Sequence, residues 1–120
     1  MFWAALVVMV AQPVSVVVPV PEEARRSQSV LLLMEGVVMR RDEPATWNVF
    51  WEKQDNAHLV GYVSSPANSA LRDPKPARFT LQLPAEALAA LHAKKEMRFT
   101  FVPARKLPEG GVTITAVRLE

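Results

Sequence analysis

His58 and His92 are the only imidazoles in the 120 residues, and there is no cysteine. This inventory limits the metal chemistry that the chain can perform alone. A catalytic zinc takes three protein ligands, and a coupled copper pair takes more imidazoles than are present. His58 lies beside the turn signal Gln54-Asp55-Asn56 and reads as a solvated histidine. His92 lies near the end of a helical stretch, where it suits the helix dipole. The two occupy different elements, so the sequence gives them no common metal. Met34, Met39 and Met97 have soft sulfur, but at apolar positions they read as core filler. Glu22-Glu23 and Asp42-Glu43 are adjacent carboxylates. Neighbours in a strand or turn point apart, so neither makes an acid/base pair. There is no Gly-x-Ser-x-Gly elbow, phosphate-cradling glycine loop or His-Glu-x-x-His pattern. The residues therefore assign no catalytic group and no metal ligand.

Half of the residues are hydrophobic, enough for a core, and the length fits one domain. The net charge is +2. Its basic residues are scattered as Arg25-Arg26, Arg40-Arg41, Lys94-Lys95 and Arg105-Lys106. They build no stripe of the kind that binds nucleic acid. Residues 1–11 are apolar but too short to span a bilayer as a helix, which needs about 20 residues. They lack a basic start and a small residue at Met9, as an export signal would have. Three readings stay open for residues 1–12: an upstream remnant or apolar leader, a buried first strand, or a weak export signal. The compartment stays open with them, cytoplasmic or periplasmic/secreted. Residues 13–120 read as a single β-domain.

The elements follow from hydrophobic period. Residues 46–53 are the centre of the pattern. Trp47, Val49 and Trp51 share one face of a strand, and Asn48, Phe50 and Glu52 share the other. Two indoles on one face demand cover, since each aromatic side chain buries roughly 150–250 Å². That strand is predicted to be central. The tryptophan face is core or, alternatively, a docking surface, and Phe50 on its back also needs cover. Residues 14–18, bracketed by prolines, read as a strand near a sheet edge. Residues 29–39 read as a strand bent at Gly36. Residues 57–65 pair back on the tryptophan strand, with Leu59, Gly61 and Val63 on one face and Gly61 making room for an indole. Residues 66–76 form the longest irregular stretch, with Leu71 at its centre. Phe79, Leu81 and Leu83 point inward from residues 77–83. The period then changes, and a helix is predicted over 84–95, with Lys94-Lys95 in its last turn. Met97, Phe99 and Phe101 share a face. In the last strand, 112–119, the apolar parity slips, and a bulge near Ala116 returns Val117 and Leu119 to the core. About seven strands and one short helix make an all-β chain, an antiparallel β-sandwich or a partly closed jelly-roll-like barrel. Exposed strands at 14–18 or 112–119 offer edges for a homo-oligomer.

Several of these stretches, in order, resemble one family. Residues 30–37, an apolar strand ending Glu35-Gly36-Val37, resemble the Glu-Gly-Ile strand in the C-terminal domain of polyphenol oxidases and related bacterial tyrosinases. Thr46-Trp47-Asn48-Val49-Phe50-Trp51 resembles that domain's Lys-Phe-Asp-Val-Tyr-Val signature. Leu59-Val60-Gly61-Tyr62-Val63 is similar to its Phe-Ala-Gly-Ser-Phe strand. Phe101-Val102-Pro103 and Gly110-Gly111-Val112-Thr113-Ile114 resemble its closing segments. The signature's Lys and Asp are Thr46 and Asn48 here, so any ion pair they make in relatives is not carried over. The resemblance covers residues 14–120 and lacks the family's copper-binding body.

It implies a shield rather than an enzyme. In the family this domain lies over a dicopper site and keeps the enzyme latent until cleaved or displaced. On that implication the chain itself holds no cofactor, and copper belongs to a tyrosinase-like catalytic domain, on the same chain or a separate one. The partner-facing candidates are Leu71, as an apolar plug, and Phe50. Trp47, Asn48, Val49, Trp51, Gly61, Gly110 and Gly111 are the structural signature residues. Two rivals stand beside this reading. One is a free-standing binding or structural module of the same fold. The other is a small hydrolase, for which no constellation speaks.

Overall fold

Strands form where the period is two, and the one helix forms where it lengthens. In the computed structural model, which describes residues 4–9, 13–39, 45–65, 77–104 and 112–120, the strands are β1 (Ala4–Met9), β2 (Val14–Pro19), β3 (Leu31–Met39), β4 (Ala45–Trp51), β5 (Leu59–Ser65), β6 (Ala77–Gln82), β7 (Glu96–Pro103) and β8 (Val112–Leu119). Seven of these, β2 to β8, match the seven read from the sequence, and β1 is added. Among the described residues they build two four-stranded sheets, β1-β8-β3-β6 and β2-β7-β4-β5. Every pairing is antiparallel. The sheets stack as a sandwich and do not close into a barrel. No helix among the described residues is long and apolar enough to cross a membrane.

The tryptophan strand β4 is central, between β7 and β5. Trp47, Val49 and Trp51 are buried between the sheets with Met97, Phe99 and Phe101. Leu32, Met34, Val37, Ile114, Val117 and Leu119 meet them from the other sheet. The Trp47 ring stands edge-on to Phe79 across the gap, with centroids 6.4 Å apart at 74°. This is the favoured arrangement for two ring quadrupoles. The indole N–H groups of Trp47 and Trp51 are buried without an acceptor among the described residues. Each such orphan costs about 1–3 kcal/mol, a cost set against the area the ring buries.

Gly36 is the bend that the sequence predicts. Its φ is +66°, in the left-handed region, and it lies opposite Thr115. A Cβ there would stand 2.4 Å from Thr115 Oγ1. The Thr115 hydroxyl donates to Gly36 O at 3.3 Å. At this level β3 passes from Met34 inward to Val37 inward, and β8 passes from Ile114 to Val117. Both strands change parity together, so their mutual register is unbroken. The outer strands take up the mismatch: β6 shifts register between Met34 and Val37, and β1 between Ala5 and Val8. The parity slip expected near Ala116 is thus present, but it is shared by the whole sheet.

Other expectations need correction. The strand 112–119 is no edge, because β1 pairs on its open side. In the β4–β5 hairpin the register shifts between Val49 and Phe50. The shift turns Leu59 outward opposite Phe50 and lets Val60 pack on the core instead. The neighbour of Gly61 is the side chain of Leu81, not an indole. The helix α1 is shorter than predicted, Ala85–Leu91, and buries Ala87 and Leu91. Pro84 occupies its N-cap, and Leu88 N–H donates to Pro84 O at 2.9 Å. Beyond it the chain tightens into i→i+3 turns, with Ala93 N–H on Ala90 O at 3.2 Å and Lys94 N–H on Leu91 O at 3.0 Å. Val20 N–H then donates to Lys95 O at 2.8 Å.

Gly36→Ala is expected to lower the unfolding free energy by about 2–4 kcal/mol, from left-handed strain plus the contact with Thr115. Urea denaturation should show a lower midpoint with an unchanged slope. Replacing Thr115 by Gly in the same chain should recover only part of the loss, because the backbone strain remains.

Candidate functional site

The two outer faces of the sandwich differ in chemistry. On the first sheet, Glu35, Arg78, Arg118 and Glu120 form an ion-pair network. Arg118 Nη2 lies 3.0 Å from both Glu35 Oε1 and Glu120 Oε1. Arg78 adds longer contacts of 3.9 and 3.8 Å to the same two carboxylates. Such a face is satisfied by itself and by water.

The second sheet presents the opposite character. Its outward residues line up across the ladder: Ser15, Thr100, Phe50 and Leu59 in one row, and Val102, Asn48 and Tyr62 in the next. Thr46 and Ser64 form a third row, and their hydroxyls are hydrogen-bonded at 2.9 Å. Ser15 Oγ and Thr100 Oγ1 are joined in the same way at 2.9 Å. None of these residues is charged. The outward charges of β7, Glu96 and Arg98, lie at one end. Phe50 is the centre of the face and is 9% exposed. Around it Tyr62 is 68%, Val17 44% and Leu59 39% exposed. Tyr62 and Leu59 stand on the β5 edge of the face and Val17 on the β2 edge.

Phe50 therefore stands where the sequence places it, on the back of the tryptophan strand, but it is buried. The exposed large apolar residues of this sheet are Tyr62, Leu59 and Val17, with Leu31 exposed on the other sheet, and sequence reasoning did not single them out. Tyr62 was legible, since it breaks the alternation of Gly61 and Val63 with an aromatic at an outward position. Leu59 was not, because the bulge that turns it outward is a property of the pairing. Leu71, Gly110 and Gly111 lie outside the described residues, as do Asp42 and Glu43. Thr46 and Asn48, in place of a Lys and an Asp, make a hydroxyl pair and a neutral ladder position.

The end of this face is clasped by carboxylates. Glu52 leaves β4 with φ +60°. Its N–H donates to Arg98 O at 2.9 Å, and its Oε1 accepts from Arg98 N–H at 3.4 Å and from Lys94 Nζ at 2.9 Å. Burial raises the Glu52 carboxyl, but the Lys94 and Arg98 hydrogen bonds and charges outweigh it and hold it below its ordinary value. His58 Nδ1–H donates to Asp55 Oδ1 at 2.6 Å, and the ring packs on Trp51 at 4.3 Å between centroids. That hydrogen bond holds the Asp55 carboxyl low. His92 Nε2–H donates to Ser27 O at 2.9 Å. The two histidines are engaged separately, His58 within its own turn and His92 with the distant backbone of Ser27. Among the described residues no three of His, Cys, Asp or Glu converge as a metal site. Glu22 is paired with Arg26 at 3.1 Å.

With this geometry in hand, comparison with solved structures is informative. A latent aurone synthase, itself a polyphenol oxidase, superposes with a TM-score of 0.68 and 18% identity over 98% of this chain and 25% of that one. Latent apple tyrosinase gives 0.67 and 20% over 96% of this chain and 27% of its own. The chain has the fold of one part of a latent polyphenol oxidase. It spans about a quarter of the length of those structures. Latent aurone synthase from its natural source gives 0.66 at 18% identity. No protein-family model and no curated protein sequence matches. The likeness noted from Val30-to-Val37, Thr46-to-Trp51 and the later motifs thus points to the same family as the three-dimensional match.

Both lowered carboxylates bind protons less readily in the folded state than in the unfolded one. The stability they contribute is present above their ordinary values and is lost as pH falls through the lower folded ones. The advantage of the wild type over Glu52→Gln and over Asp55→Asn, measured by urea unfolding, should therefore be present at pH 7 and shrink progressively as pH falls below about 4. An advantage that persists at low pH would rule out the carboxylate charge as its source.

Proposed function

We propose that this chain is a non-catalytic shielding domain that covers the dicopper site of a tyrosinase-like catalytic body and keeps it latent. The observation that carries this reading is the match of nearly the whole chain to about a quarter of structures described as latent polyphenol oxidases. The body is on the same chain or a separate one, and the copper belongs to it. The residue inventory supports a non-enzymatic role, with two separated histidines and no nucleophile constellation.

The mechanism is steric. The uncharged face around Phe50 seats on the body, with Tyr62, Leu59 and Val17 as the side chains that lose solvent. Few charges are desolvated, so little of the contact free energy is lost to dehydrating ions. Phe50 supports the patch from beneath, and Leu71 is the candidate plug at the substrate entrance. Phenols are excluded while the contact holds. Proteolysis or acid releases it.

Adding the purified chain to the tailless form of the histidine-rich oxidase encoded beside or upstream of it should lower phenol oxidation with increasing dose. Tyr62→Glu is expected to weaken that inhibition about tenfold or more, as loss of an interface tyrosine does. Thr80→Glu, on the outer face of the other sheet, should leave it intact. Leu71→Ser should relieve inhibition without abolishing binding. No change in rate at high excess of the wild-type chain would falsify the shielding role.

A further inference from the structure

The first charged residue of the chain is Glu22. Both strands that precede it are sheet edges: β1 ends the first sheet and β2 the second. They pack beside one another, so one side of the sandwich is formed by two strands without a single charge. The opposite side is formed by β5 and β6, and β6 carries Arg78. An edge strand offers a row of free N–H and C=O groups. Monomeric proteins blunt such a row with charges, prolines or bulges. In β2 the only proline within the strand is the last residue, Pro19, and the register with β7 runs unbroken from Val14 to Pro19. β1 has a bulge but no charge.

We propose that the β1/β2 side pairs with the same side of a second copy of this chain. The pairing is antiparallel, about a two-fold axis perpendicular to the sheets, with β2 against β2. That axis sets each sheet edge against its own equivalent, so both sheets run on across the interface. A second copy is the occupant that fits, for two reasons. An uncharged strand lies against itself without the like-charge repulsion that opposes most self-pairings. Val14, Val16, Val17 and Val18 are β-branched and suit a strand that is paired on both sides. A closed two-fold pairing also consumes the edge, so it does not propagate into fibres. Of the side chains placed in the shielding contact, Tyr62 and Leu59 lie on the β5 side of the second sheet, and only Val17 lies on the β2 side. Sedimentation of the chain without any oxidase reads the self-pairing apart from the shielding role.

The test needs no partner: sedimentation equilibrium of the purified chain. At about 100 µM, where even a modest interface is populated, the chain should be a dimer. Val17→Lys puts a charge on an exposed outward position facing its own equivalent, and it should weaken dimerisation about tenfold or more. Thr80→Lys on β6 should dimerise as the wild type does. A wild-type chain that stays monomeric would overturn the proposal, and so would a Val17→Lys variant that dimerises with wild-type affinity. Hydrogen exchange of the wild type gives a second reading that does not depend on the variant's folding. Amides of residues 14–19 should exchange more slowly at high than at low concentration while those of β5 do not change. Equal exchange at both concentrations would likewise overturn it.

Discussion

The absence of a side chain at residue 36 is the constraint on which the first sheet depends. At that level β3 and β8 both turn over, and the turn is possible because Gly36 takes a left-handed φ directly against Thr115. On one side of the kink Leu32 and Met34 fill the core, and on the other Val37 does. Without it, the parity of one half would be reversed, and a single step of parity moves every side chain of that half to the opposite face. The neighbouring strands do not share the glycine. They follow it by shifting register, β6 on one side and β1 on the other. One backbone conformation thus fixes which residues of four strands are inside.

The second sheet has no such kink and meets the first with its largest side chains. Trp47, Phe99 and Phe101 are fully buried, and Phe79 stands edge-on to Trp47 from across the gap. This core is complete without anything on the outer faces. Under the proposed shielding role, the surface that docks would not be the one that holds the domain together. The contrast between the outer faces fits the same logic. The ion-pair network of Glu35, Arg78, Arg118 and Glu120 is stable against water and costly to dehydrate. The rows of hydroxyl, amide and apolar groups around Phe50 are not.

Much of the fold was legible because it is written in period. The alternation of Trp47, Val49 and Trp51, of Phe79, Leu81 and Leu83, and of Met97, Phe99 and Phe101 needs only a pleated backbone to become a core. Gly36 was legible as a bend because it interrupts an apolar run. What failed depends on partners distant in sequence. Whether 112–119 is an edge is decided by residues 4–9, more than a hundred positions away, and nothing in either stretch announces the other. The helix gives way to i→i+3 turns at residues 93 and 94, and Lys95 O just beyond them accepts from Val20 N–H of a distant strand end. Lys94, read as a complement to the helix dipole, instead reaches Glu52 at 2.9 Å. Leu59 faces outward because of a one-residue slip in a hairpin, and no alternation rule sees such a slip. Of the uncharged outer face, the sequence thus showed Phe50 and not the exposed side chains beside it.

The placement of the carboxylates connects the fold to release. Glu52 closes the end of β4 on β7, and Asp55 ties His58 to the turn that leads into Leu59. Both sit at the border of the uncharged face, and both are held in the charged form by bonds made only when the turn is folded. Protonation removes those bonds at the rim while the buried rings between the sheets, which carry no charge, are untouched. In a domain that docks through the proposed face, this turn lies beside Leu59 and contributes no buried residue to the core.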